Sequence, residues 1–169
     1  MAVALSPDLI LAQQLVYLPS NHSFRAASIE PESSDYSACE FKLNDLAVRY
    51  RVAKITPTKI GQFVTIWKRS DNGPIEPYSI SDRIDFLIIS TRKGDLLGQF
   101  IFPKTVLLKN GVLSTPEREG KRAIRVYPPW DEPTSRQARQ TQQWQLDYFL
   151  AMPIDQPIDL ERAKILLRS

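Results

Sequence analysis

Hydrophobic and polar residues alternate along much of the chain after Cys39, and this alternation predicts β-strands. Apolar residues at every second position indicate a hairpin whose two strands start at about Cys39 and Leu46 and flank the short turn "LND". The continuous apolar run Ile84–Ile89 predicts a central strand that is covered on both faces. The turn "RKGD" connects that strand to a neighbour at Leu97–Phe102. Two further strands are predicted at about 62–67 and 122–127.

Helical segments are predicted on both sides of this strand-rich region. Ser6 and Pro7 are typical of a helix start, because the hydroxyl can cap the helix and proline suits the first helical position. The polar stretch from Pro19 to Ser37 is interpreted as a loop with little function. The predicted helices span residues 7–17, 134–152 and 160–167, and the second has a buried stripe that includes Leu146, Phe149 and Leu150.

These elements predict a single α+β domain with a central, mostly antiparallel mixed sheet flanked by helices. A length of 169 residues is enough for one domain with a full hydrophobic core. Within it we expect an N-terminal helix and polar loop at 1–35, a core at 36–152 and a short C-terminal helix at 153–169.

The counts of cysteine and histidine restrict the chemistry. A single cysteine, Cys39, excludes an intramolecular disulfide, and a single histidine, His22, excludes a zinc site built from Cys and His side chains. Any metal has to be a hard cation such as Mg²⁺ held by carboxylates, and no other cofactor is expected. The N-terminal segment lacks the basic start of a signal peptide, and no apolar run approaches the length of a membrane span, so we expect a cytoplasmic protein. Oligomeric state stays open.

Positive charge is concentrated locally, although the net charge is only +3. The segment from Leu46 to Arg69 contains no Asp or Glu, and Trp67 lies near its end. Cations beside an aromatic ring suit phosphate contact combined with base stacking, whereas the alternative is a solvated sheet face with a core tryptophan. The cations of this segment are Arg49, Arg51, Lys54, Lys59, Lys68 and Arg69.

Three further features extend this interpretation. Arg49 and Arg51 share one face of a predicted strand, and Lys59 lies in a loop before Gly61, where a lysine and backbone amides can hold a phosphate. A second basic group contains Lys121, Arg122 and Arg125. The helix near residue 140 presents Arg136, Arg139, Gln142, Gln143 and Gln145, side-chain types that bond phosphates and base edges.

Several phrases of the sequence together resemble the MepB family of small bacterial proteins. They are "RVAKITPTKIGQFVTIWKR", "DFLII", "GQFIFPK", "GKRAIRVYPPW" and "QARQTQQWQLDYF", and the resemblance covers about residues 36–150. It implies a restriction-endonuclease-like fold and nucleic-acid binding.

Nucleases of that fold place an Asp on one strand and a Glu or Gln, followed two residues later by Lys, on the next, where Mg²⁺ activates a water. Asp85 and Gln99 match the first two positions, but Ile101 occupies the lysine position, so Lys104, Lys54 or Lys68 has to substitute for it. A turn centred between Lys93 and Gly94 puts Asp85 opposite Phe102, about 10 Å along the strand from Gln99. The alternative is that Asp85 is a buried partner of a lysine or arginine.

Three functions therefore remain open from sequence. The leading one is a non-catalytic protein that binds nucleic acid or nucleotides, with Trp67 as a stacking residue. The second is a Mg²⁺-dependent phosphodiesterase that uses Asp85 and Gln99, and the third is a regulatory protein that binds a protein partner or a phosphorylated small molecule. The predicted phosphate contacts are Arg51, Lys54, Lys59, Lys68, Arg69, Lys104, Lys121, Arg122, Arg125, Gln142 and Gln145.

Overall fold

The computed structural model describes residues 4–168, and this part of the chain contains eleven β-strands and four α-helices. The strands are β1 (Phe24–Ile29), β2 (Cys39–Leu43), β3 (Leu46–Val52), β4 (Lys54–Ile55), β5 (Gln62–Thr65), β6 (Trp67–Arg69), β7 (Ile75–Pro77), β8 (Phe86–Lys93), β9 (Leu96–Pro103), β10 (Ala123–Val126) and β11 (Phe149–Ala151). The helices are α1 (Pro7–Ala12), which a π-helical turn extends to Tyr17, α2 (Lys104–Lys109), α3 (Arg136–Gln145) and α4 (Leu160–Leu166). In this part of the chain, no helix has the length and apolarity needed to cross a membrane.

A six-stranded sheet forms the centre of the molecule, with the strand order β1-β2-β3-β8-β9-β11. Only β3 and β8 pair in parallel within it, so the sheet is mixed and mostly antiparallel. A smaller sheet has the order β10-β5-β4, and β6 pairs with β7 in a two-stranded ribbon. The predicted single α+β domain is thus confirmed.

The large sheet is covered on both faces, and the apolar residues of β8 point alternately into the core on each face. Phe86 and Ile88 join the core that contains α1 and α4, while Leu87 and Ile89 join the core beneath the smaller sheet and α2. All four side chains are at most 2% exposed, and burying each of them stabilises the fold by about 1.5–3 kcal/mol. The prediction of a central strand is confirmed.

Both predicted hairpins are present, but the register of the second differs from the prediction. The turn between β2 and β3 uses Asn44 at φ 53°. The turn between β8 and β9 is centred between Gly94 and Asp95, so Leu87, and not Asp85, lies opposite Phe102.

Two predicted boundaries were wrong because local patterns do not report distant pairing. The predicted loop at 19–37 contains β1, whose pairing with β2 is interrupted by a bulge at Ala26 with φ 59°. The helix predicted to reach Met152 ends at Gln145, and the apolar residues after it form a short 3₁₀ turn and β11 at the sheet edge. In addition, α2 was not predicted.

Candidate nucleic-acid interface

Arg51 is part of the protein interior, which overturns its prediction as a phosphate contact. Its side chain is fully buried, and Nη2 donates to Glu30 Oε2 at 2.9 Å. Nε donates to the Thr65 carbonyl at 3.1 Å and Nη1 to the Tyr50 carbonyl at 2.9 Å. Arg49 donates to the other oxygen of the same carboxylate at 2.9 Å, so the two arginines do share a face of β3. Glu30 lies in the stretch that was predicted to have little function.

Lys68 and Arg69 are also paired with acids from outside their segment. Lys68 Nζ lies 2.7 Å from the Asp82 carboxylate, and Arg69 Nε lies 3.0 Å from the Glu32 carboxylate. Partial burial acts to raise the pKa of Asp82, but the hydrogen bonds from Lys68 and from the Ser79 amide outweigh it and lower the pKa below its ordinary value. Because these carboxylates partly neutralise Lys68 and Arg69, both cations attract a phosphate less strongly than the sequence suggested.

Trp67 lies among these ion pairs, in surroundings that do not favour base stacking beside phosphate. The Arg69 guanidinium is 5.9 Å from the centre of its ring. The cleft that Trp67 lines has three cations that are engaged in ion pairs, and its three acids, Glu30, Glu32 and Asp71, leave no excess of positive charge for a phosphate backbone.

Lys54, Lys59 and Arg125 have different surroundings on the smaller sheet. None of the three forms an ion pair with any residue from 4 to 168. The strand register places Lys54, Phe63 and Arg125 side by side across β4, β5 and β10. Since residues aligned in this way point to the same face of a sheet, two cations and an aromatic ring share one surface.

Tyr36 adds a second aromatic ring to this surface. Lys54 Nζ lies 4.9 Å from the centre of the Tyr36 ring, and the Arg125 guanidinium lies 5.8 Å from that of Phe63. The two rings are 6.2 Å apart. We call Tyr36, Lys54, Lys59, Phe63 and Arg125 the small-sheet face. Sequence reasoning missed both aromatic residues, because the alignment of Phe63 with two cations depends on the pairing of β5 with β4 and β10.

Arg125 also fixes the loop that carries Lys59. Its Nη1 donates to Thr56 Oγ1 at 3.0 Å and lies within 3.4 Å of the carbonyl oxygens of Ile60 and Gly61. Gly61 has φ +88°, and a Cβ there would lie 2.6 Å from the Tyr127 ring, so the loop passes too close to Tyr127 for any other residue. Nε and Nη2 of Arg125 donate to no atom of the described chain, which leaves them for a ligand.

The remaining predicted contacts divide into two groups. Lys121 is exposed without an ion-pair partner among the described residues, and the ion pair of Arg122 with Glu119 at 2.7 Å is exposed on both sides. In contrast, Lys104 Nζ donates to the Asp82 carbonyl at 3.0 Å.

Gln142 and Gln145 bond the protein backbone, so the prediction that they contact phosphates or bases was wrong. The Gln145 amide donates to the Arg125 carbonyl at 3.0 Å and accepts from the Tyr127 amide at 2.9 Å. The Gln142 amide nitrogen contacts three carbonyl oxygens, those of Tyr127, Pro128 and Asp131. Gln145 thereby attaches α3 to the outer edge of β10, and Gln142 attaches it to the segment that follows that strand.

Asp85 and Gln99 do not form a joint metal site. Gln99 lies opposite Ser90, five residues from Asp85 along the strand, which corresponds to roughly 17 Å. Asp85 accepts a hydrogen bond from the Ala47 amide at 2.7 Å. Within residues 4–168 it forms no ion pair with a lysine or an arginine. Gln99 is fully buried and bonds the Tyr17 and Ser90 hydroxyls. Residues 4–168 contain no group of three His, Cys, Asp or Glu side chains arranged to hold a metal.

Comparisons with known proteins place the chain in a family. The sequence profile of the MepB-like family matches residues 30–151. The chain belongs to the MepB-like family. The resemblance seen in the sequence is thereby confirmed, and the matched range contains every residue of the small-sheet face. No curated protein matches the chain.

A solved structure agrees with the family assignment. The chain is similar to a protein whose structure is described as the crystal structure of MepB, with 38% sequence identity and a TM-score of 0.75. The similarity covers 88% of this chain and 98% of the other. The α+β architecture of this MepB-like chain thus has a counterpart in an experimental structure.

Proposed function

We propose that this chain binds nucleic acid or nucleotides through the small-sheet face. The observation that carries the proposal is the row of Lys54, Phe63 and Arg125, in which two cations without acidic partners among the described residues flank a half-buried aromatic ring. Lys59 lies in the neighbouring loop that Arg125 bonds, and it lines a cleft next to the row that also contains Lys93, Asp131 and Glu132. The combination supplies phosphate contact and base stacking on one surface.

Each side chain of the face has a distinct role in this proposal. Lys54 and Lys59 contact phosphates as flexible point charges, and the free Nε and Nη2 of Arg125 donate two parallel hydrogen bonds to one phosphate. Tyr36 and Phe63 offer ring faces to bases, and every base can stack regardless of sequence. Lys121, just before β10, extends the positive surface along the edge of the smaller sheet.

The proposal is non-catalytic. The phosphodiesterase alternative receives less support, because Asp85 and Gln99 lie far apart and each already bonds the protein itself. A likeness to the restriction-endonuclease core stays a prediction. We place the activity in the cytoplasm, where Cys39, buried and unpaired, stays a thiol; burial raises its pKa to about 12.

The proposal is tested by fluorescence anisotropy with labelled single- and double-stranded DNA and RNA at several salt concentrations. We expect micromolar or tighter binding that weakens as salt rises, because bound cations release counterions from phosphate. Lys54→Ala/Lys59→Ala is expected to weaken binding about tenfold or more at low salt. The matched control, Lys42→Ala/Lys164→Ala, removes the same charge from β2 and α4 and should bind like the wild type.

Two results contradict the proposal. Absence of binding to all four nucleic acids would leave a protein partner or a phosphorylated small molecule as the ligand. Equal weakening by both double variants would show that binding follows net charge and not the small-sheet face.

A further inference from the structure

A cleft of about 500 Å³ lies between α3 and the outer edge of β10, next to the small-sheet face. This volume is within the range of about 300–1,000 Å³ that is typical of small-molecule sites. Arg125 belongs both to the cleft lining and to the small-sheet face, and the Tyr127 ring extends from the cleft to Gly61 in the Lys59 loop. The cleft and the face therefore adjoin at Arg125.

The lining of the cleft suits a nucleotide. It includes two cations, Lys121 and Arg125, and no Asp or Glu. Tyr127 and Trp144 contribute aromatic rings, and the Trp144 ring is held by packing on Phe102 at 5.4 Å. The hydroxyl of Thr141, together with the amides of Asn110 and Gln137, supplies hydrogen-bonding groups that read the edge of a base.

The walls of the cleft are fixed by contacts that do not depend on a ligand. Gln145 bonds the backbone of Arg125 and Tyr127, which holds the C-terminal end of α3 against β10. On the other side, a Cβ at Gly120 would lie 2.3 Å from the Val112 carbonyl oxygen, so the chain passes close to that backbone and brings Lys121 to the rim. A site that is preformed in this way loses little conformational entropy when a ligand binds.

We infer that the cleft holds one unpaired nucleotide of a nucleic-acid strand whose neighbouring phosphates lie on the small-sheet face. The inference rests on the proposed function and narrows it to strands that contain unpaired bases, because a paired base is stacked inside its duplex and cannot enter a cleft. Arg125 contacts the phosphate that joins the two parts of the site. The base lies against Tyr127 or Trp144, and Lys121 neutralises the phosphate on the far side.

The test compares two labelled 12-nucleotide strands of equal charge, one with ordinary bases and one built entirely from abasic units, together with a blunt duplex. Wild-type protein is expected to bind the ordinary strand about tenfold or more tightly than the abasic strand, since only the ordinary strand has bases that can stack on aromatic side chains. Ala138→Leu and Thr141→Leu fill the cleft from α3 without removing a charge. Both variants should lose the part of this preference that the cleft supplies, keep the part that stacking on Tyr36 and Phe63 supplies, and bind the duplex like the wild type.

Gln140→Leu is the matched control, because it adds the same side chain at an exposed α3 position that does not line the cleft. It should keep the full preference for bases. Thermal unfolding of all three variants checks that the fold is retained.

The outcomes separate the two claims. A preference for bases that both cleft variants retain in full would overturn the inference and leave the proposed function standing. Equal affinity of wild-type protein for the ordinary and abasic strands would overturn the inference together with base stacking on Tyr36 and Phe63, and would leave phosphate contact as the whole interaction. Absence of binding to all probes would overturn the proposed function and the inference with it.

Discussion

Two parts of one basic segment have similar sequences and different surroundings. Arg51, Lys68 and Arg69 lie near the large sheet and the β6-β7 ribbon, and each bonds a carboxylate from elsewhere in the chain. Lys54 and Lys59 lie on or beside the smaller sheet, and among the described residues they have no acidic partner. The sequence between Leu46 and Arg69 contains no acid in either part.

The difference shows that cations in a segment without acids can still form ion pairs with acids from distant parts of the sequence. Glu30, Glu32 and Asp82 lie between 14 and 37 residues from the cations that they neutralise, and only the fold brings them together. Cations whose charge is already paired stabilise the structure. Those without a partner are the candidates for binding an external anion.

The largest expected effect is on stability, from Arg51→Met. This substitution leaves the Glu30 carboxylate in a mostly buried place with one fewer partner, and losing one member of a buried ion pair costs about 3–5 kcal/mol. Urea unfolding followed by circular dichroism measures the loss. The control, Lys54→Met, should change the free energy of unfolding by less than about 0.5 kcal/mol. An Arg51→Met protein with wild-type stability and weakened nucleic-acid binding would reverse the assignment.

A smaller effect is expected on binding, from the aromatic residues of the two parts. Phe63→Leu keeps an apolar side chain but removes the ring, so affinity for a single strand should fall by about 1–3 kcal/mol. Trp67→Leu should leave affinity unchanged, because the cations beside Trp67 are already paired with acids of the protein. Anisotropy titrations with one labelled strand compare the variants. A larger loss for Trp67→Leu than for Phe63→Leu would contradict the proposal that bases stack on the small-sheet face.

The smallest effect is expected from Asp82→Asn, which breaks the ion pair with Lys68. The pair is partly exposed, so the loss of stability should be about 1 kcal/mol or less. Since the pKa of Asp82 is lowered in the folded state, its stabilisation is present above the unfolded-state pKa of about 3.9 and is lost as the pH falls through the folded-state pKa. The difference between variant and wild type should therefore shrink below about pH 4. A difference that persists at about pH 2.5 would show that it does not come from the carboxylate charge.

Much of the fold could be predicted because its strongest signals are local. The alternation in β2 and β3 and the apolar run of β8 identify their elements within a few residues. In contrast, β1 is a mostly exposed edge strand with a bulge, and β11 is three residues long and directly follows a 3₁₀ turn, so neither has a period that a short window detects.

The candidate site was predicted only in part, because the decisive contacts join distant residues. Lys54, Lys59 and Arg125 were identified as cations, but their alignment with Phe63 depends on the pairing of three strands. Gln145 illustrates the reverse error: its amide suits a base edge, yet it bonds the edge of β10. The unpaired backbone groups of β10 can be recognised as partners for Gln145 only once the strand order shows that β10 is an edge strand.

The most direct test of the account compares the salt dependence of binding for two double variants that each remove two positive charges. For Lys54→Ala/Lys59→Ala, the slope of log affinity against log salt concentration should fall by roughly 1.4–1.8, the value for two lost phosphate contacts. For Lys68→Ala/Arg69→Ala the slope should stay at the wild-type value, because these cations are paired within the protein. Equal slopes for the two variants, or a larger fall for the second, would contradict the division between structural and binding cations.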